Sequence, residues 1–573
     1  MQNQALFRTK AAEHIVQHYI LWTFLLVCVI SLIGCGVFYL SHGALFYTDT
    51  DCYTRALRII DWLDDFQWAE KIFPYFNPPH GFILHFTRAC DVIWLILSAP
   101  FMPFLPLKDA IFYGGMLFSP LFMFCSIAVI LWGIRPYLPP MPNKNSIFII
   151  FALIGVALFG KLTFIFSFSR PDHHSLMAFV MCACIAVILR NQIQGNLRHL
   201  FTCGLLCGLG MWASSAIEGL FAVAVMLTVL VFNRIFYNRD GKELIYFALG
   251  LFLSVTAAWL INPPYGGYTE IDINRLSIIH SVLTALMLLA FLALNLIKSR
   301  NKFILIAAFG IAALICAGMM LMIFGGDNLL VSIYDPYISK HFLPFVSEMR
   351  HQSPSGYEMP LFILGLCSLA VLLYVGKFRQ QYLTDLLIIF MPICIAALMY
   401  RRFFPYYLVT AVYIYALTLF IAAYGAQKKE VFKWVAFFYI LIPVFYLATF
   451  HYKYQKSTLP EIKSPILTDL FKAPEIMFFY GVDSVGGPYH VNVEGIKDNH
   501  TMWFTTDEQK LKNLLKKHHV QAVYLWPYPH SDYYVLPKDN TDKLYGKVLT
   551  GENIYPWLKK IDDRYYEVDY SAF

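Results

Sequence analysis

Four short clusters of ionisable residues interrupt an otherwise apolar chain. Asp49-Thr50-Asp51 follows Tyr47-Thr48, Asp172-His173-His174 follows Arg170-Pro171, Ser347-Glu348 follows Val346, and Arg401-Arg402 precedes Phe403. Carboxylate oxygens and an imidazole spaced by one or two residues can grip a divalent cation. An oxygen-rich shell with one histidine suits Mn²⁺ or Mg²⁺. A further carboxylate beside such a cation can orient or deprotonate an acceptor, and a guanidinium suits phosphate. Each cluster also has an ordinary reading. Asp-X-Asp at 49–51 fits a solvated loop, Asp172 a helix cap, Glu348 a loop carboxylate and Arg402 a headgroup anchor.

The elements that must position these groups are set by composition. The 573 residues are 58% hydrophobic, 17% aromatic and 14% charged, with net charge +7. Soluble domains carry roughly 25% charge and roughly 45–50% apolar residues. The chain departs from both toward lipid, which excludes a cytosolic enzyme, a disordered scaffold and a disulfide-stapled module. All twelve cysteines except Cys52 and Cys90 sit in apolar runs, where Cys behaves as a small hydrophobe. There is no disulfide framework, no zinc spacing and no cleavable signal at the N-terminus.

Apolar segments able to cross a core of about 30 Å run near 19–40, 110–134, 146–164, 175–190, 199–214, 216–232, 243–261, 277–297, 303–325, 359–376, 383–399, 405–424 and 431–450. That is about thirteen spans. A further apolar piece at 89–106, broken by Pro100, Pro103 and Pro106, reads as an interfacial or re-entrant helix. Alternate loops are short and basic, with Arg135 and Lys144, Arg190 and Arg198, Arg234 and Arg239, and Lys428 and Lys429. The positive-inside rule then places the N-terminus inside and the C-terminus outside.

The expected organisation is a transmembrane domain, 1–450, with long outer loops at 41–109 and 326–358, and an extracytoplasmic α/β domain, 451–573. In that tail Glu475–Tyr480 and Val520–Trp526 read as strands. Thr505 with Glu508 reads as a capping box opening an amphipathic helix.

Under this topology all four clusters face outward. A carboxylate or histidine near lipid is costly and calls for a reason. A cation and an arginine at one face suit transfer from a lipid-linked phosphate donor, with the departing phosphate stabilised by both.

The motifs resemble those of the catalytic subunits of oligosaccharyltransferases, a family of the GT-C glycosyltransferase fold with thirteen transmembrane helices and a C-terminal extracytoplasmic domain. The family's first outer loop carries an Asp followed two positions on by an aromatic, as in Asp51-Cys52-Tyr53. Its second acidic motif is Asp-X-Asp, or Asp-His-His in archaeal members, and Asp172-His173-His174 is similar to the latter. The resemblance implies Asp51, Asp172 and His174 as metal ligands, with Asp51 also touching the acceptor. Asp49 joins the catalytic carboxylates, and His173 and Arg170 support the ligands.

Phe345-Val346-Ser347-Glu348 with His351-Gln352 is similar to the family's Ser-X-Glu-type loop motif, whose Glu works with the metal. Arg402-Phe403-Phe404-Pro405-Tyr406-Tyr407 is similar to an Arg-Phe-X-Tyr-Tyr stretch that meets the donor pyrophosphate, with Arg401 beside it. The implied activity is glycan transfer from a polyprenyl-(pyro)phosphate donor to an extracytoplasmic acceptor, in a multi-pass protein of a bacterial inner membrane.

The family's Trp-Trp-Asp-Tyr-Gly motif, which reads the glycosylation sequon, is not found; the corresponding Met477–Gly487 has no tryptophan pair. The acceptor is therefore open among a protein side chain, which is the leading expectation, a lipid and a glycan. Gly487-Pro488-Tyr489-His490 reads as an acceptor surface or as a turn. One competing reading is a GT-C enzyme moving a single sugar from a polyprenyl phosphate without metal. Another is a transporter, which calls for midspan charges or paired repeats. Midspan charges are few, and Lys161 lies close enough to an outer end to snorkel. The scattered basic residues give no support to nucleic-acid binding.

Overall fold

The computed structural model describes residues 18–66, 68, 71–137, 164–297, 299–325, 335–346, 358–375, 380–425, 461–526 and 542–573. The protein is a polytopic helical membrane protein with a small C-terminal sheet. Two expected spans, 146–164 and 431–450, lie outside the described residues apart from Phe164, as does Lys161. Every other expected span is a helix.

The chain enters through α1 (Tyr19–His42), turns at Gly43, and forms α2 (Thr50–Asp65) and α3 (Arg88–Ser98) before the next long apolar helix. The bundle continues with α4 (Leu107–Ile134), α5 (His173–Gln194), α6 (Leu197–Ala213), α7 (Leu220–Phe236), α8 (Lys242–Ile261), α9 (Ile278–Asn295) and α10 (Lys302–Phe324). After the short α11 (Pro336–His341) come α12 (Glu358–Val375), α13 (Gln380–Met399) and α14 (Phe404–Gly425). Among the described residues seven helices are long and apolar enough to cross a membrane.

Burial sorts these helices by neighbour. Only 11% of the apolar stretch of α1 and of α10 is buried, so their aliphatic side chains face lipid, whereas 78% of α5 is buried at the centre of the bundle. Close approach between α6 and α8 rests on a small residue, as is common for membrane helices. A Cβ on Gly204 would meet the Phe247 carbonyl oxygen at 2.1 Å. Between α5 and α6 the thiols of Cys184, Cys203 and Cys207 lie within 4.8 Å of one another.

The expected piece at 89–106 is helical only to Ser98, and the chain turns through Ala99–Leu105 where the prolines remove helix donors. The helix buries one face in the protein and leaves Ile96 on the other exposed. Trp94 is fully buried, its indole donates to the Ile111 carbonyl at 2.7 Å, and Asp91 is buried as well.

The C-terminal part carries β1 (Ile466–Leu467), α15 (Ala473–Tyr480), α16 (Val493–Phe504), α17 (Glu508–Lys517), β2 (Ala522–Tyr524), α18 (Leu544–Thr550), β3 (Leu558–Asp562) and β4 (Tyr565–Val568). The sheet order is β1-β2-β4-β3, with β1 parallel to β2 and the other pairs antiparallel. The buried strand expected at 520–526 is β2.

Two local expectations are corrected. Residues 475–480 form helix α15, with Pro474 in its first turn and left-handed Gly481 closing it. A short apolar run does not distinguish helix from strand by periodicity. Here Phe478 faces Tyr53 and Phe112 of the membrane part instead of a sheet neighbour. The cap of α17 is Asp507, whose carboxylate accepts from Lys510 N–H at 3.0 Å. Thr505 accepts from Asp507 N–H instead, and Glu508 is drawn off to the Trp557 indole at 2.9 Å.

Candidate active site

Backbone contacts bring the first two acidic clusters together. Thr48 N–H donates to the Ser169 carbonyl at 2.8 Å, and Thr48 Oγ1 lies 3.2 Å from Ser169 Oγ. This ties the chain entering α2 to the chain entering α5. Asp49 caps α2, with Oδ1 accepting from Asp51 N–H at 3.1 Å. Asp172 caps α5, with Oδ1 accepting from His173 N–H at 2.6 Å. The capping expected of Asp172 therefore coexists with a place in the cluster.

Arg170 spans the two motifs. Its Nε donates to Asp49 Oδ2 at 2.7 Å, and Nη2 lies 3.7 Å from Asp172 Oδ2. Both Asp49 oxygens are thus engaged. Asp51, by contrast, lines an open cavity beside Asp49 and His173. Burial first, then the neighbouring charges of Asp49 and Asp172, push its carboxyl far above the ordinary carboxylate range.

His173 Nδ1 lies 2.5 Å from Asp172 Oδ1, so the ring proton sits between them. His174 Nε2 lies 3.6 Å from Asp172 Oδ2, and the two imidazoles stack with centroids 4.2 Å apart. One donor atom from each of Asp172, His173 and His174 falls within a 4.8 Å cluster. Asp172 Oδ2 is buried and accepts no hydrogen bond among the described residues. A buried carboxylate oxygen without a donor, beside an imidazole and a second carboxylate destabilised by its neighbours' charge, is a fitting place for a divalent cation.

Arg402 reaches the same cavity from the turn before α14. Arg401 occupies that turn but is not among the cavity's lining residues. Glu348 lies outside the described residues, and Val346, two positions before it in sequence, is at the cavity wall. The lining also includes Pro488, Tyr489 and His490 of the C-terminal part. Tyr489 is buried, and its hydroxyl lies 2.7 Å from Thr54 Oγ1 of α2. Burial, and then the Arg402 charge, lower His490 to about 4, so its imidazole is neutral at pH 7.

Several residues of the site escaped sequence reasoning. Glu218 is the foremost: its side chain is fully buried and ion-paired with Arg402, Oε1 lying 2.8 Å from both Nε and Nη2. Its signal was a single carboxylate in the apolar stretch 216–232, which the cost of charge near lipid marks for attention. Arg55 was missed too. It lies against His173 at 3.3 Å and over the Phe86 ring at 3.9 Å, with Nε 3.9 Å from Asp172 Oδ1. Buried Asp91 sits between Arg55, Arg58 and Arg88 at 3.8, 3.0 and 3.4 Å. Apart from the i,i+3 pair of Arg88 and Asp91, only long-range contact joins these groups, so spacing along the chain does not reveal them.

The bundle, its cavity and the appended sheet have the GT-C membrane fold of oligosaccharyltransferases. No protein-family model matches the chain, and no curated protein sequence matches it. Solved structures do match. The archaeal oligosaccharyltransferase AglB from Archaeoglobus fulgidus, complexed with an inhibitory peptide and a dolichol-phosphate, is similar with a TM-score of 0.65 and 12% identity, covering 94% of this chain and 79% of that one. The Archaeoglobus fulgidus enzyme tethered to an acceptor peptide containing the NVT sequon is similar with a TM-score of 0.61 and 15% identity, covering 93% and 72%. Its complex with Zn and sulfate gives a TM-score of 0.58 at 13% identity, covering 91% and 70%. At such identities the likeness establishes the fold.

Proposed function

We propose that the protein is a membrane glycosyltransferase that transfers a glycan from a polyprenyl-(pyro)phosphate donor to an extracytoplasmic acceptor, most plainly a protein side chain, with a divalent cation such as Mn²⁺ or Mg²⁺. The observation that carries this reading is the single cavity on which Asp51, His173 and Arg402 converge, with Asp172 and His174 beside it. The structural relatives hold dolichol-phosphate, an acceptor peptide, or Zn and sulfate, which are ligands of the kinds this cavity suits.

In this reading Asp51, Asp172 and His174 hold the cation, which supplies Lewis-acid stabilisation of the departing phosphate. Asp51 faces the cavity and orients the acceptor. Asp49, with both oxygens engaged, sets the start of α2 and the place of Arg170. Arg402 presents N–H donors to the donor phosphate. Glu348 would serve as the second carboxylate. The N-terminus lies in the cytoplasm and residues 451–573 form the extracytoplasmic domain. The Pro488-Tyr489-His490 turn stands where an acceptor would approach, and it differs in chemistry from a tryptophan pair.

Membranes containing the protein, supplied with lipid-linked glycan and acceptor, test the proposal. Asp51→Ala, Asp172→Ala and Glu348→Ala are each expected to abolish transfer while the protein stays folded, and EDTA to abolish it until Mn²⁺ is restored. Full activity in any two of these variants sinks the assignment. Activity indifferent to EDTA moves the reading to metal-free transfer of a single sugar.

A further inference from the structure

Glu218 belongs to none of the four clusters, yet it is buried behind the cavity lining in contact with Arg402, His173 and His174. Its Oε2 accepts the Ser214 hydroxyl, and its Oε1 lies 2.8 Å from Arg402 Nε and Nη2, 3.4 Å from His174 Nδ1 and 3.8 Å from His173 Nε2. The residue is 1% exposed. It is aimed by a π turn, Ser215–Gly219, in which Gly219 N–H donates five residues back to the Ser214 carbonyl at 2.9 Å. Single π turns are frequent at functional sites because they redirect one side chain within a helix.

The His174 ring therefore stands between two carboxylates. Its Nε2 faces Asp172, and its Nδ1 faces Glu218. A metal-binding imidazole commonly donates its other N–H to a carboxylate, which fixes the tautomer and the ring orientation. We propose that Glu218 is a positioning residue that orients His174 for a divalent cation, while the same carboxylate oxygen holds Arg402 at the cavity wall. This rests on the metal reading above. With Nδ1–H directed at this carboxylate, 3.4 Å away, Nε2 would keep its lone pair on the Asp172 side. A cation there would meet Nε2 and the Asp172 Oδ2 that lacks a donor. One buried carboxylate thus sets the spacing between the cation end of the cavity and its arginine.

The test is Mn²⁺ binding to the full chain purified in detergent, followed by loss of the free-ion EPR signal, with thermal midpoints recorded for every variant. Wild type is expected to bind, Asp172→Asn to lose binding, and Glu218→Gln to weaken it by roughly 10- to 100-fold with its midpoint unchanged. A purely structural partner of Arg402 would leave the Mn²⁺ affinity alone. Glu218→Gln binding within twofold of wild type, while Asp172→Asn fails, overturns the positioning role and spares the metal reading. Wild type that binds no Mn²⁺ overturns both. If Glu218→Gln does not fold, Glu218→Asp decides: it keeps the charge but withdraws it by one methylene, and an unchanged affinity equally overturns the role.

Discussion

Asp49 and Asp51 are two residues apart and have opposite surroundings. Asp49 spends one oxygen on the α2 cap and the other on Arg170, so its carboxylate is occupied by the fold. Asp51 faces the cavity with its charge opposed by burial and by two neighbouring carboxylates. Asparagine caps helices about as well as aspartate. Asp49→Asn is therefore expected to keep at least about a tenth of the transfer rate, and Asp51→Asn to lose roughly 100-fold or more, as for removal of a group acting on the transition state. Initial rates in the same membranes compare them. Equal losses would show that Asp49 acts directly on the reaction.

The π turn that opens α7 depends on a glycine. A Cβ at position 219 would meet the Ser214 carbonyl oxygen at 2.4 Å and Met211 Cα at 2.8 Å, both backbone atoms that cannot swing aside. Gly219→Ala is expected to destabilise the protein by about 1–3 kcal/mol, the usual cost of overpacking. It should also cut transfer further than its stability loss accounts for, because Glu218 moves with the turn; thermal unfolding and rates at permissive temperature separate the two effects.

A second element, α11, docks on α16 through Tyr337 Oη, 2.6 Å from His500 Nδ1, and through Asp335 with Lys497 at 3.3 Å. Burial, then His341, lower His500 from 6.5 to about 4. Between those values the undocked or unfolded form binds a proton that the docked form resists. The docking energy is full above about pH 6.5 and falls as pH drops toward 4. Protection from hydrogen exchange across 335–346, taken relative to the intrinsic exchange rate at each pH, is expected to fall at pH 5 relative to pH 7.5, and His500→Gln to remove that difference. Equal protection at both pH values in wild type would contradict it.

Across the whole molecule, the C-terminal part is bound into the membrane bundle by more than its chain connection. Met477, Phe478 and Tyr489 belong to the same buried cluster as Tyr53, Phe112 and Phe118. The segment between α2 and α3 supplies strand-like and side-chain seams as well: Asn77 N–H to Ser484 O at 3.0 Å, Ser484 N–H to Tyr75 O at 2.9 Å, and the His518 ring to Pro78 O at 2.7 Å. Tyr489→Phe removes one hydrogen bond and is expected to cost about 1 kcal/mol. Tyr489→Ala leaves a cavity among Phe76, Phe82 and Phe86 and should cost roughly 3–5 kcal/mol. A single thermal transition in wild type that splits into two in Tyr489→Ala would report the seam; no change in either variant would show that it carries little energy.

The local pattern of the chain determined the membrane class, most helix positions, the buried strand at 522–524 and the ionisable clusters around Asp51, Asp172 and Arg402. Long apolar runs and charge near lipid are strong signals because each carries a large transfer energy. Tertiary structure alone decided that 473–480 is a helix, because its apolar side chains are divided between two partners: Met477 and Phe478 join the membrane cluster while Ile476 packs on the sheet. It alone placed Glu218 between His174 and Arg402, and Arg55 against His173. These pairings link residues up to 184 positions apart, and a carboxylate's partner across a folded bundle leaves no trace in local periodicity.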